Sequence, residues 1–416
     1  LGVSPPATHG CVKYVLASLL GGAAALSLAS AVSAQVVIPA GTDIGTYLNT
    51  GTNWSATNNQ FAINANATWN TIVRVNSAAH STLNLNGNGN TITRAGNNVL
   101  YYDGTSINQN SVTISNVTFG QTANSGSGIF DNAGGTRTSN VYLNNVTFNG
   151  LAGAFGNAFY LNGSTGNTVM NVTAGTGSDG VVFSNNVSSG DGGGVISIYG
   201  GNLTFNGDYT FNANHTGNYG GAIAMYQDTG VLTFNGTTSF NNNFATTYFG
   251  GAIDVWGGAS TLTFNGASSF TANHVVTAST GAGNPRGGAI NIGYTSPGSG
   301  ASVVQFNNDV TFDGNYVVST GAGGSSFGGA ISAYGNGASY DYRYIFTDAA
   351  IFRNNYVIKA GTGSGSGNGG AIYYDASGAS LSLTSGTQFL NNAASTNGGE
   401  IFLQSGTISL SALTDN

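Results

Sequence analysis

The chain has 416 residues, of which only 6% are charged, with 67 glycines and a formal net charge of −7. So few cations, nowhere clustered, exclude a nucleic-acid interface. The one cysteine, Cys11, excludes a disulfide framework, and no His, Cys, Asp or Glu grouping has metal-ligand spacing, so no metal or cofactor is expected.

The first 34 residues stand apart. Lys13 precedes an apolar stretch over 15–28, rich in Ala, Leu and Gly, and Val32-Ser33-Ala34 supplies small residues ahead of Gln35. This pattern predicts a secretory signal peptide over 1–34, cleaved between Ala34 and Gln35, and not a membrane span. Cys11 lies before the apolar core, so the mature chain would carry neither a cysteine nor a lipid at that point.

Residues 35–180 read as degenerate rungs of a solenoid. Residues 112–119 are Val-Thr-Ile-Ser-Asn-Val-Thr-Phe, and 141–148 answer with Val-Tyr-Leu-Asn-Asn-Val-Thr-Phe, 29 positions later. No linker separates this region from residues 181–416.

From 181 to 416 the repeat is explicit. Gly-Gly-x-Ile begins at Gly193, Gly220, Gly250, Gly287, Gly328, Gly369 and Gly398. Each copy follows a Phe-x-x-Asn, beginning at Phe183, Phe211, Phe240, Phe270, Phe312, Phe352 and Phe389. A third block, such as Leu203-Thr204-Phe205 or Leu232-Thr233-Phe234, always ends six residues before the next Phe-x-x-Asn. A constant spacing predicts a fixed corner, with an Asn-Gly turn such as Asn235-Gly236 between two short strands. From Phe-x-x-Asn to Gly-Gly-x-Ile the distance is nine or ten residues in four repeats and 16 or 17 in three, so insertions collect at another corner.

Aligned repeats give columns: Ile196, Ile223, Ile253, Ile290, Ile331, Ile372 and Ile401, then two residues on Ile198, Met225, Val255, Ile292, Ala333, Tyr374 and Leu403. Period-two alternation puts both columns on one strand face, with residues such as Ala224 and Asn291 on the other. The predicted fold is all-β: a right-handed parallel β-helix of about eleven rungs, roughly 50 Å long at the cross-strand spacing. The column Asn186, Asn214, Asn243, Asn273, Asn315, Asn355 and Asn392 is expected to stack as an amide ladder serving the turn backbone.

Catalysis on such a scaffold needs carboxylates converging on one face. The nearest approach is Asp309, Asp313, Asp341, Arg343, Asp348 and Arg353, within which Asp313 and Arg353 share a column and read as a surface ion pair. No catalytic residue is assigned. His215 and His274 fall in a column with Phe244, Tyr316 and Tyr356, expected to be an aromatic stack and not a metal site. For binding, Tyr340 and Tyr342 are placed in a lengthened loop beside Arg343, with Tyr344 facing inward. These three (Tyr340, Tyr342, Arg343) are the predicted adhesive surface.

Seven ordered pairs of Phe-x-x-Asn and Gly-Gly-x-Ile, mostly Gly-Gly-Ala-Ile, in one Gly- and Asn-rich secreted chain resemble the polymorphic membrane proteins of chlamydiae. More widely they resemble Gram-negative autotransporter passengers with the same repeats. The resemblance is strong over 180–405 and loose over 35–180. It implies display at the cell surface or release, attachment to the outer membrane by a C-terminal β-barrel, and adhesion to host cells or to neighbouring bacterial cells. No stretch of this chain has the successive ten-residue alternation of a barrel. Either a barrel follows Asn416 or the surface is reached another way. The rival expectation is a secreted carbohydrate-active β-helix, a polysaccharide lyase or glycosidase.

Overall fold

The computed structural model describes residues 35–411, apart from 76–79, 96–98, 103–109, 122–127, 133–136, 164–167, 227–228, 257, 279–283, 294–299, 323 and 336–339. The expected signal peptide, with Ala34 at its cleavage site, lies outside the described residues.

An explicit repeat folds into four short strands, with an added two-residue strand at Ser326–Phe327 and at Gly367–Asn368 and a continuous 13-residue strand at Ile372–Thr384. In one repeat the four are Gly201–Asn206, Tyr209–Asn212, His215–Thr216 and Ile223–Tyr226. Every strand pairs in parallel with its equivalent one repeat away: Leu203 with Leu232 and then Leu262, Phe211 with Phe240 and then Phe270, Ile223 with Ile253 and then Ile290. The strands collect into a 30-stranded sheet, an eight-stranded sheet built from the short strand of each rung, and a two-stranded pair. This is a parallel β-helix, and its rungs are the repeats seen in the sequence.

The Phe column continues upstream of the explicit motif. Ala67, Ile92, Phe119 and Phe148 lie in register with Phe183, which makes eleven levels down to Phe389. The Ile column likewise begins at Val73, Leu100, Phe130 and Phe159 before Ile196. Those four are invisible to motif matching because nothing but apolar character is preserved.

The core lies inside the coil. Phe rings stack face to face along a column, as in Phe211–Phe240 at 4.5 Å and Phe234–Phe264 at 5.2 Å. Between columns they meet edge to face, as in Phe234–Phe240 at 6.2 Å and 88°. Both geometries suit the ring quadrupole. One short helix, Ile44–Asn49, packs Ile44 and Leu48 into the first turns and is capped by Asp43, whose carboxylate accepts from the Thr46 amide at 2.9 Å.

The Asn ladder is present as expected. From Asn186 to Asn355 each ladder side chain donates from Nδ2 to the Oδ1 of the next Asn at 2.8–3.0 Å, and all seven, Asn392 included, donate to a Phe carbonyl one rung back at 2.9–3.1 Å. A ladder Oδ1 also accepts the backbone amide of the preceding ladder Asn, as in Asn214 to Asn243 at 3.1 Å. The residue before each ladder position takes left-handed backbone, for example Asn242 at φ 51°, Ala272 at 54° and Gly314 at 63°. A second ladder, which sequence reasoning does not single out, joins Asn206, Asn235, Asn265 and Asn307 at 2.7 Å on an exposed corner.

The two glycines of each pair are needed for different reasons. The first is left-handed in every pair but the one at Gly193, as at Gly250 with φ 64°. The second, in every pair but the last, lies against the next rung, and a Cβ on Gly251 would stand 2.0 Å from the Gly288 carbonyl oxygen.

Candidate functional site

The predicted adhesive trio is not one surface. Tyr342 is buried, 1% exposed, within strand Tyr342–Phe346, where it pairs with Ser302 of the previous rung. It points inward for the same reason as Tyr344: residues two apart on a strand share a face, and both belong to that strand. Tyr340 is half-buried and stacks on Tyr342 at 5.5 Å. Only Arg343 faces solvent, and it is held by Asp341 through Nε to Oδ1 at 2.7 Å and a second contact from Nη2.

The acidic residues near it separate into local pairs. Arg353 and Asp313 form the expected ion pair at 2.9 Å, with the two side chains 48% and 26% exposed, so its contribution to stability is small. Asp348 accepts from its neighbouring Ala349 amide at 2.9 Å. Asp208 caps turns, accepting from Gly177 at 2.8 Å and from the Thr237 amide at 3.1 Å, and its hydrogen bonds, that from the Thr237 hydroxyl above all, hold its carboxyl below the usual range. Among the described residues, no three His, Cys, Asp or Glu side chains gather as metal ligands, and no helix is long and apolar enough to cross a membrane.

The histidines stand where the repeat places them. On the outer face of the eight-stranded sheet, rings of His215, Phe244, His274, Tyr316 and Tyr356 stack at 4.6, 5.1, 4.6 and 4.8 Å, all within 5° of parallel. Partial burial pushes both histidines below their ordinary pKa.

The most unusual chemistry lies elsewhere. The residues just before successive glycine pairs, Tyr219, Phe249, Arg286 and Phe327, bridge one another in parallel register. They form a strap over the outward face of the Gly-Gly-x-Ile strands. Beneath it Ala224, Asp254, Asn291, Ser332 and Tyr373 occupy one column and are all at most 1% exposed. An outward position is thus a buried one here.

Asp254 accepts from Asn291 Nδ2 at 2.8 Å through Oδ1, while its Oδ2 has no partner. Burial pushes its carboxyl up to about 7, against the opposing pull of that hydrogen bond and of the Arg286 charge. The Arg286 guanidinium lies 4.5 Å from the Phe249 ring centre and 3.4 Å from that of Tyr334. Burial lowers its pKa to about 10, and Nε and Nη1 make no hydrogen bond. Asp254 and Arg286 thus attract one another without closing to ion-pair distance. Outside them, half-exposed Tyr219, Tyr248 and Trp256 form an aromatic ledge, with Tyr219 at 5.2 Å from Tyr248 and 4.6 Å from Trp256. Aligning the residue before each glycine pair is the one sequence signal that would reveal this strap.

Comparison with family models, with curated proteins and with solved structures yields no match.

Proposed function

We propose that this protein is an adhesive surface stalk, the passenger of a Gram-negative autotransporter, which presents its outer faces to host cells or to neighbouring bacteria. The observation that carries this reading is a long parallel β-helix with little surface charge and rows of half-exposed aromatic side chains on its outer faces. Aromatic rings supply large contact area at little entropic cost, and are favoured where proteins meet ligands. The carboxylates of Asp208, Asp313, Asp341 and Asp348 are tied into turns and ion pairs, which favours binding over hydrolysis.

The test is attachment. Beads coated with the chain are counted on cultured epithelial cells and on bacterial lawns, against beads carrying the same protein after heat unfolding. Specific attachment of the folded form is expected; equal counts for both would end the adhesive reading. Protease shaving of intact expressing cells checks surface display, with loss of the chain expected while periplasmic markers survive.

A further inference from the structure

We propose that the ring stack on the eight-stranded sheet stops one ring short beyond Tyr356, and that the slot over Ala393 takes the aromatic ring of a phenylalanine or tyrosine side chain from a partner protein. The proposal rests on the adhesive reading and names a contact for it.

The column that carries the stack runs Ala152, Val187, His215, Phe244, His274, Tyr316, Tyr356 and Ala393, each in parallel register with the next. Five consecutive levels hold a ring, and the level after Tyr356 holds only a methyl group. Tyr356 lies on Tyr316 at 4.8 Å, with the two planes 1° apart. Its other face is turned toward the level of Ala393, where no ring stands.

Neighbouring side chains do not fill that level. A cleft of about 550 Å³ opens there, and its lining includes Tyr356, Ile358, Ala393, Asn354, Asn391 and Ser395. The volume is that of a small-ligand pocket. All six residues are half-exposed or exposed, so the cleft is reached directly from solvent. Along the stack, rings stand 4.6–5.1 Å apart with planes within 5° of parallel. A ring that enters the cleft and lies on Tyr356 at this spacing completes the place that Ala393 leaves unfilled. A saturated ring is thicker and brings no quadrupole to match that of the tyrosine face.

The rest of the cleft describes what carries the ring. No side chain lining it is charged at neutral pH, so nothing there selects a carboxylate, a phosphate or an ammonium group. Asn354, Asn391 and Ser395 offer donors and acceptors together, as the N–H and C=O groups of a peptide require. Ile358, 40% exposed, supplies apolar area for the residue beside the ring. An aromatic anchor in a pocket with a polar rim is the kind of contact on which protein association most depends.

Ligand-observed NMR tests this with the whole chain and four probes: blocked tripeptides with Phe, Tyr or cyclohexylalanine between two glycines, and free benzyl alcohol. The two aromatic peptides should bind with Kd of about 1–10 mM, about threefold or more tighter than the cyclohexyl peptide and than benzyl alcohol. Ala393→Phe fills the slot from within. It should abolish peptide binding while raising the melting temperature, because the stack gains a member, so the lost binding is not a folding defect. Tyr356→Leu should weaken the aromatic peptides to the level of the cyclohexyl one. No aromatic binding at about 20 mM, equal binding of the cyclohexyl peptide or of benzyl alcohol, or binding that survives Ala393→Phe would overturn the proposal. So would a lowered melting temperature in Ala393→Phe, which would mean that the level has no room for a ring. Bead attachment separates the slot from the adhesive reading. Undiminished attachment by Ala393→Phe refutes this contact and spares adhesion; peptide binding by a wild-type chain that attaches to no cell upholds the slot and ends the adhesive reading.

Discussion

Replacing Asp254 by Asn should make the protein more stable in a strongly pH-dependent way. The carboxyl is pushed from its ordinary 3.8 to about 7 by burial. Between those values the folded chain keeps a proton that the unfolded chain has lost, so folding stability declines as pH rises through this window. Below pH 4 both states are protonated and the penalty is absent; above pH 7 both are ionised and it is complete. At 1.36 kcal/mol per pH unit, that interval amounts to about 4 kcal/mol. Asparagine has no such titration, and its Oδ1 can still accept from Asn291. Urea unfolding of wild type and variant, followed by circular dichroism at pH 4, 6 and 8, reads the effect. Near-identical midpoints are expected at pH 4, and at pH 8 a variant more stable by about 4 kcal/mol. A variant equally shifted at every pH, or weaker at pH 8, would refute the reasoning, since it would mean that Arg286 stabilises the ionised carboxylate more than burial destabilises it.

Three further outcomes are expected. Asn243→Ala removes donation to Phe211 O and Asn273 Oδ1 and acceptance from the Asn214 amide and Nδ2, all between 2.9 and 3.1 Å. With several buried groups unmet the loss should be about 4 kcal/mol or more in urea midpoint terms, and a loss under about 1 would contradict the ladder's role. Ala272→Gly relieves a left-handed alanine at φ 54° and, net of the added freedom of the unfolded chain, should raise stability by about 0.5–1 kcal/mol. A fall in melting temperature would count against that account. His274→Tyr continues the ring stack of Phe244, Tyr316 and Tyr356. Because burial holds the His274 pKa down, the folded state resists a proton that the unfolded state accepts below about pH 6.5. The variant's advantage should therefore be larger at pH 5 than at pH 7.5, and a pH-independent difference would dispose of the explanation.

The fold is legible because the repeat preserves what a coil needs at every level: alternation along each strand, an Asn at the ladder corner, and two glycines where one left-handed turn and one close backbone approach occur. The weaker turns before residue 180 keep only apolar inward positions, so motifs give Phe130 and Phe159 no column. The site is harder to read. The long connection before Tyr342 suggests a loop, although its parity with Tyr344 places it inside. Alternation puts Asn291 and its column on an outer face, correctly as to direction, but the strap that closes over them comes from the residues ahead of the glycine pairs. That segment has no fixed residue type, with Tyr219, Phe249, Arg286 and Phe327 in succession, so its constant place ahead of the glycine pairs is the only mark it leaves in the sequence.

The Asn ladder also has an electrical sense. Every side-chain amide from Asn186 to Asn355 sends one N–H to the Oδ1 of the following rung, always in the same direction, so along this chain of bonds the amide dipoles add instead of cancelling, and each bond polarises the next. At the donor end, Asn392 Nδ2 meets the carboxylate of Glu400, a negative group where the row presents its positive pole. Glu400 takes the place that alanine holds in most of the other Gly-Gly-x-Ile copies. A row of this kind is indifferent to its own length. A whole rung that brings its own asparagine extends the row without disturbing it, whereas a partial insertion at the ladder corner would interrupt the polarity on both sides. Growth of such a stalk by copying complete repeats, with irregular loops confined to the other corners, is what this geometry permits.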